Sequence, residues 1–507
     1  MLVSLFGASS DLGVFFASFR IPDFLFQVVV AGALSSSFIP IFTEYISKDK
    51  KKEAFAFTST LVNLGVGFFI FASFFIIVFS YQISSILAPG FSQKELILMA
   101  NLMVIIQLSQ LFFILGTVVT AMLQSFQHFV IPGLASAFYN LGIIVGLIIF
   151  TKFLGFGIYG ATIGVMIGSL LFLIVQLPLL FKTGFRFTFN FDIKNGVLKV
   201  INLMVPRSLT LVVAQIAVTA NVFFASFISA RSLVVFDLAQ TLVMAPVLLF
   251  GQSIAQASFP SLSLKKENRQ EFTAIFTSSF NQIIYLTLPV SALLIVLRIP
   301  IVRLFYGASR FDWEATVETG LTLAYFSISI SAYALIYLLS RAFYAHKDAK
   351  TPFIITSVSV VVNVVISYMV VLVYHLPIYF LALSSSIAFI LSAIVMFVFL
   401  DRKVGLPKLE ITHSFIKILI STFITGVALY VPIKLLDQLV FDTTRTINLI
   451  ILTGIASFFG LISYLFFTWL FNIREAYYVI AVLKRFGQKD RILKQVSEII
   501  DGSKLNP

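Results

Sequence analysis

The chain runs to 507 residues, of which 59% are hydrophobic and 11% charged, with a formal net charge of +13 and a mean hydropathy of +1.03. Soluble domains carry roughly a quarter charged residues, so the composition defines a polytopic membrane protein. Its Lys and Arg punctuate apolar runs and form no basic face on a soluble module, which excludes nucleic acid as a partner. Cysteine is absent and the four histidines are scattered; disulfides, thiolate chemistry and Cys/His metal sites are excluded, and no cofactor or metal is expected.

Met1 to Ser10 has no basic stretch and only a short apolar run, so no secretory signal is read there. The first long run, Gly13 to Lys52, predicts a single apolar helix carrying Arg20 and Asp23, bent at Pro22, thinned at Ala31-Gly32-Ala33 and stopped by lysines. At about 20 residues per crossing of about 30 Å of hydrocarbon, thirteen spans are predicted: 12–45, 54–86, 95–122, 128–151, 156–182, 197–230, 234–263, 272–305, 315–343, 351–374, 376–400, 413–434 and 446–472. Alternate connections divide the basic residues unevenly: twenty-five of the 35 fall in one set with the tail, eight in the other, and Arg20 and Arg207 lie within spans. The richer set is cytoplasmic by the positive-inside rule, and the C-terminus with it. Thirteen crossings then place Met1 outside, so a further helix upstream of Met1 is expected.

Sliding the chain by 220 positions sets Pro40 on Pro260, Pro132 on Pro352 and Phe16 on Phe236. That period covers six spans, an even number, so two halves of like orientation would relate by an axis along the membrane normal. The predicted architecture is all-α: two pseudo-symmetric six-helix lobes, the first short of its first helix, plus two C-terminal helices. The corresponding divisions are 1–182, 183–400, 401–472 and a basic cytoplasmic tail, 473–507. In that tail Ile492, Val496 and Ile499 recur at helical spacing, which fits either an amphipathic helix on anionic lipid or a solvated tail.

A charge inside a span costs roughly 2.5 to 3.5 kcal/mol at the bilayer centre and wants a partner, a wet cavity or a ligand. Arg20 and Asp23 share a helical face, and two readings are open: an intrahelical ion pair, or an arginine facing a cavity where it holds an anionic headgroup with Asp23 orienting it. Arg207, after Pro206, either snorkels to lipid phosphates or faces the same cavity. Gln215 and Asn221 continue a polar stripe, as do Gln240, Gln252 and Gln256 on the next span, although polar groups between helices also serve as packing contacts. Gly155-Phe-Gly-Ile-Tyr-Gly160 matches the GxGxxG dinucleotide pattern but opens a membrane span, so helix packing is the better account. Asp312 and Glu314 sit in a short connection that makes a poor host for glycosyl chemistry, and no enzyme is expected.

FGASSDLGVFFASFRIPDFL (6–25), AGALSSSFIPIFTEY (31–45), LAPGF (87–91), AMLQSFQHFVIPGLASAFYN (121–140), ASFPSLS (257–263), LFYGASRF (304–311) and SRAFYAHKDAKTPF (340–353) resemble, in order, the MurJ/MviN family of lipid II flippases. These belong to the multidrug/oligosaccharidyl-lipid/polysaccharide exporter superfamily. The resemblance spans nearly the whole chain and implies fourteen spans, with two extra helices that form a lipid groove. It also implies movement of lipid II, an undecaprenyl-pyrophosphate-linked peptidoglycan precursor, from inner to outer leaflet by alternating access. The expected location is the bacterial inner membrane, and the expected partners are lipid II or a related glycolipid, membrane lipids and cell-wall synthesis proteins. The expected headgroup site comprises Arg20, Asp23, Arg207, Gln27, Gln215, Asn221 and Gln240. Where the family's second span carries cavity charges, the aligned positions here are Gly13, Phe26 with Gln27, and Ala31; in the eighth, Thr241 and Met244 align with an Arg and a Glu. With that set thinned, export of another polyprenyl-linked glycan and a non-transporting envelope scaffold remain the alternatives.

Overall fold

The computed structural model describes residues 1–33, 38–192, 197, 212, 213, 215–307, 310–439 and 446–477, and no strand occurs among them. The helices are α1 (Leu2–Phe6), α2 (Ser10–Ser18), α3 (Arg20–Ala33), α4 (Ile39–Ser47), α5 (Lys51–Val78), α6 (Ser80–Leu87), α7 (Gln93–Ser125), α8 (Val130–Gly146), α9 (Ile158–Ile174) and α10 (Leu177–Lys182). A short apolar helix follows, α11 (Gln215–Ser226). Then come α12 (Ala230–Pro246), α13 (Ser253–Leu264), α14 (Arg269–Val296), α15 (Arg298–Tyr306), α16 (Trp313–Ser327), α17 (Ile330–Ala345), α18 (Lys350–Tyr368), α19 (Tyr379–Val404), α20 (Lys408–Leu439) and α21 (Thr446–Leu470).

Among the described residues eleven helical runs are long and apolar enough to cross a membrane, or twelve if α16 and α17, bent by 43°, form one span. Helix is the one way an apolar segment can satisfy its own backbone in hydrocarbon without closing a barrel. Twelve of the thirteen predicted spans therefore have a counterpart. The other, 197–230, lies largely outside the described residues and is represented by α11.

The predicted bend lies three residues earlier than expected. α2 ends at Ser18 and α3 begins at Arg20, with the interruption at Phe19. Pro22 is still its cause, since proline has no N–H and its ring crowds the carbonyl four residues back, that of Ser18. The Ser18 hydroxyl turns instead to the Val14 carbonyl (2.7 Å) and to the Met99 carbonyl of α7 (3.3 Å).

The chain divides into two compact units. One comprises Met1–Ala239, Tyr306–Thr322 and Thr356–Ala388; the other comprises Gln240–Phe305, Leu323–Ile355 and Phe389–Pro507. In the first unit α8 and α9 touch backbone to backbone along Gly142 and Gly146 against Gly168 and Gly164, where any Cβ would overlap the facing helix. The GxGxxG run feeds this seam: Gly155 and Gly157 turn the chain at positive φ with open space beside them, and only Gly160 packs closely, against Thr151, so the packing account holds for Gly160 and a turn accounts for the other two.

Two of the resembling stretches meet in this unit, and a third packs against α11. Gly7 lies against the backbone of Arg310, whose guanidinium donates to the Leu5 carbonyl (2.7 Å), and Gly90 of LAPGF packs against the end of α11, its N–H donating to the Ser226 hydroxyl (3.2 Å). Asp312 and Glu314 both pair with Arg231 (2.8 and 3.1 Å), and Asp312 also accepts from the Ala315 N–H at the start of α16. These carboxylates hold a connection together. The core of the second unit gathers Phe272, Phe276 and Phe280 of α14 with Leu338, Leu339 and Phe343 of α17.

Candidate functional site

The site builds outward from the break at Phe19. Because α3 starts afresh at Arg20, the guanidinium leaves the helix at its first residue and reaches Asp237 of α12, 2.5 and 2.7 Å from its two carboxylate oxygens. Both side chains are mostly enclosed, with 19% and 16% of their surface exposed. The intrahelical Arg20–Asp23 ion pair is not what forms: the Asp23 carboxylate instead accepts a hydrogen bond from the Gln110 amide of α7 (2.8 Å). Arginine is suited to such a position because its guanidinium stays charged and presents five donors in a rigid fork. One of them, the buried Nε–H, has no hydrogen-bond partner, and neither has the Gln110 side-chain oxygen. Buried donors without partners are scarce in folded proteins and mark places where water or a ligand completes the set.

The other expected residues are not joined to this pair by any hydrogen bond or ion pair among the described residues. Gln27 is half-buried on α3, seven residues after Arg20 and so on the same face. On α11, Gln215 and Asn221 are buried, and the Asn221 side-chain oxygen lacks a partner. Gln240 is half-buried and opens the second unit. Arg207 lies outside the described residues. Within the first unit the structure thus brings Arg20 and Asp23 to one locus and adds Asp237 and Gln110, which sequence reasoning missed. A lone aspartate in an apolar span demands an opposite charge, and that demand was readable at Asp237.

Close approach explains one thinned position. α2 meets α12 at Gly13, where an added Cβ would overlap the Ala230 carbonyl. No acidic side chain fits between those helices.

The fold is that of a polytopic helical membrane protein, and it is shared with a multidrug resistance MATE family transporter of the MOP superfamily in an inward-facing conformation, which superposes with a TM-score of 0.67 at 16% identity, over 80% of this chain and 92% of its own. A structure of lipid II flippase MurJ in an inward closed conformation superposes with a TM-score of 0.76 at 25% identity, covering 93% of this chain and 94% of that one. A protein of Buchnera aphidicola subsp. Acyrthosiphon pisum named "Probable lipid II flippase MurJ" is 28% identical over 94% of this chain and 93% of its own length. The "Lipid II flippase MurJ" of Thermosipho africanus is 27% identical over 78% of this chain and 79% of its own. The family model described as lipid II flippase MurJ matches residues 2–450, and the chain belongs to that family.

Proposed function

We propose that this chain translocates lipid II from the inner to the outer leaflet of the bacterial plasma membrane by alternating access. The observation that carries the reading is the family match from residue 2 to residue 450, supported by the likeness to a MurJ structure. In this reading two six-helix lobes enclose a wet chamber that one headgroup enters from either side, the polyprenyl tail lies beside the last two spans, and the C-terminus is cytoplasmic.

The headgroup site comprises Arg20, Asp23, Gln27, Gln215, Asn221, Gln240 and Arg207. Its working part is the Arg20–Asp237 pair. With no substrate bound, Asp237 neutralises Arg20 and keeps it desolvated at tolerable cost; an arriving pyrophosphate competes for the same guanidinium through charge-assisted hydrogen bonds, with the Nε–H as its first free donor. Asp237 is then released to water or to another donor as the lobes rock. Charge is exchanged rather than created, which lets a buried arginine hold and surrender a dianion.

Expression in cells depleted of their own flippase, with a leaflet-accessibility assay for lipid II, tests the proposal. Rescue by the unaltered chain and its loss in Arg20→Met/Asp237→Leu, a double variant that keeps the site filled without charge, is the expected result. Rescue undiminished in that variant discards the site. Failure of the unaltered chain, inserted and folded, to rescue discards the function.

A further inference from the structure

In the second unit a polar cavity of about 450 Å³ opens where the first turns of α14 and α20 meet the chain just past α21. Local sequence dictates it. Gln270, Thr273, Thr277 and Asn281 recur every three or four residues and give α14 a polar stripe inside an apolar span. Glu410 and Lys417, seven apart, do the same on α20. After α21, Asn472 takes a positive φ of 52° and the N–H groups of Asn472 and Ile473 bond back to Trp469 and Thr468. That reversal is the usual left-handed ending of a helix, and it returns Arg474 and Glu475 to the cavity wall.

The wall is not at rest. Thr277 and Asn281 are 5% and 8% exposed, and the Thr277 hydroxyl and Asn281 side-chain oxygen have no hydrogen-bond partner. The Lys417 ammonium donates to the Phe471 carbonyl (2.9 Å), which leaves two of its three protons free. Glu475 is buried, and burial pushes its carboxyl up against the opposing influence of its own backbone, the Arg474 charge and the Asn281 amide.

We propose that this cavity binds a zwitterionic phosphoethanolamine headgroup, with its phosphate on Lys417 and Arg474 and its ammonium on Glu475, Glu410 and the Asn281 oxygen. An anion alone would meet Glu475 and a cation alone would meet Lys417; a ligand with both signs leaves neither in the wrong company. The three N–H donors of a primary ammonium match the acceptors on offer, whereas a trimethylammonium has none. Position names the source. The cavity reaches from Gln270 to Asn281, about 16 Å along α14, from the end of the span inward, at the depth of headgroups and the adjoining hydrocarbon. The connection before α14 carries Lys265 and Lys266 and the last turn of α19 carries Arg402 and Lys403, which by the positive-inside rule assigns this end to the cytoplasmic leaflet. Phosphatidylethanolamine there supplies the group, and soluble O-phosphoethanolamine carries the same chemistry.

The purified full chain, placed in nanodiscs of mixed phosphatidylethanolamine, phosphatidylcholine and phosphatidylglycerol, is read by native mass spectrometry for retained lipid. Retention of phosphatidylethanolamine about tenfold over either competitor is expected, and about a tenfold loss of that preference in Glu475→Gln and in Lys417→Met, as for one charge-assisted hydrogen bond. A rise in apparent Tm with soluble O-phosphoethanolamine, without lipid retention, assigns the soluble source. Equal retention of the three lipids, preference unmoved by both substitutions, or no retention and no Tm shift, as for a cavity filled by water alone, overturns the proposal. The selectivity of the unaltered chain decides even where a variant does not fold, and none of these readouts depends on transport.

Discussion

Two charged loci, one within the membrane spans and one where spans end, solve the same electrostatic problem in opposite ways. Around Arg20 the first unit matches one cation to one carboxylate at contact distance, gives Asp23 a neutral donor, and leaves over the Arg20 Nε–H and the Gln110 side-chain oxygen. Around Asn281 the second unit spreads cations and carboxylates over three segments of a cavity wall and leaves hydroxyl and amide oxygens unmet. A buried pair is self-sufficient only while both members remain, because the desolvation cost of each charge is offset by the other alone. A dispersed set instead tolerates loss of any one member and relies on what fills the space. The difference separates a locus that must break an existing bond to bind from one that binds by completion.

The strongest way to break this comparison is to unpair the first locus. Asp237→Ala leaves the Arg20 guanidinium enclosed without its counter-charge, and stability should fall by roughly 3 to 5 kcal/mol, read as a drop in the thermal midpoint of the chain in detergent. Arg20→Met/Asp237→Leu should recover most of it, since an apolar pair of similar size has no charge to desolvate. If Asp237→Ala unfolds no earlier than the unaltered chain, water reaches Arg20 freely and the pair is not self-sufficient. Gln110→Leu is the next step down: the Asp23 carboxylate loses its amide donor (2.8 Å), and a buried acceptor left unmet costs about 1 to 3 kcal/mol. The same measurement checks it, and Gln110→Glu, which sets a second carboxylate beside Asp23, should cost more.

Much of the fold was legible because its cause is short-range: apolar run length against bilayer thickness gives the spans, and proline, glycine and lysine punctuate them. The break by Pro22 and the packing role of Gly160 follow from single-residue sterics. Partnership was not legible in that way. Arg20 and Asp23, three apart, satisfy every local rule for an ion pair, yet α7 and α12 deliver Gln110 and Asp237 from 87 and 217 residues away. Which of two available carboxylates an arginine takes is decided by how helices lie against one another, and here by the contact of Gly13 with Ala230 that draws α2 onto α12. Asp237 itself could have been flagged from its solitude in an apolar span. Its partner could not.

The smallest effect is expected where a pair is neither enclosed nor left open. In the second unit Lys403 donates to Asp348 (2.7 Å), with 38% and 19% of the two side chains exposed, and the Thr351 N–H and hydroxyl also bond that carboxylate (3.0 and 2.9 Å) at the start of α18. Burial pushes the Asp348 carboxyl up, but the bonds from Lys403 and Thr351 outweigh it and hold it below the usual carboxylate range. A depressed value means that the folded chain favours the ionised form, so the stabilisation is complete above the ordinary aspartate value of about 3.9 and is lost as pH falls through the lower folded value. Asp348→Asn should therefore cost at most about 1 kcal/mol at pH 7, in keeping with water-screened pairs. Its midpoint should converge on that of the unaltered chain as the pH is taken below 4. A loss at pH 7 as large as that of Asp237→Ala would mean that solvent does not screen Lys403, and the contrast between enclosed and exposed pairs would then have to rest on geometry alone.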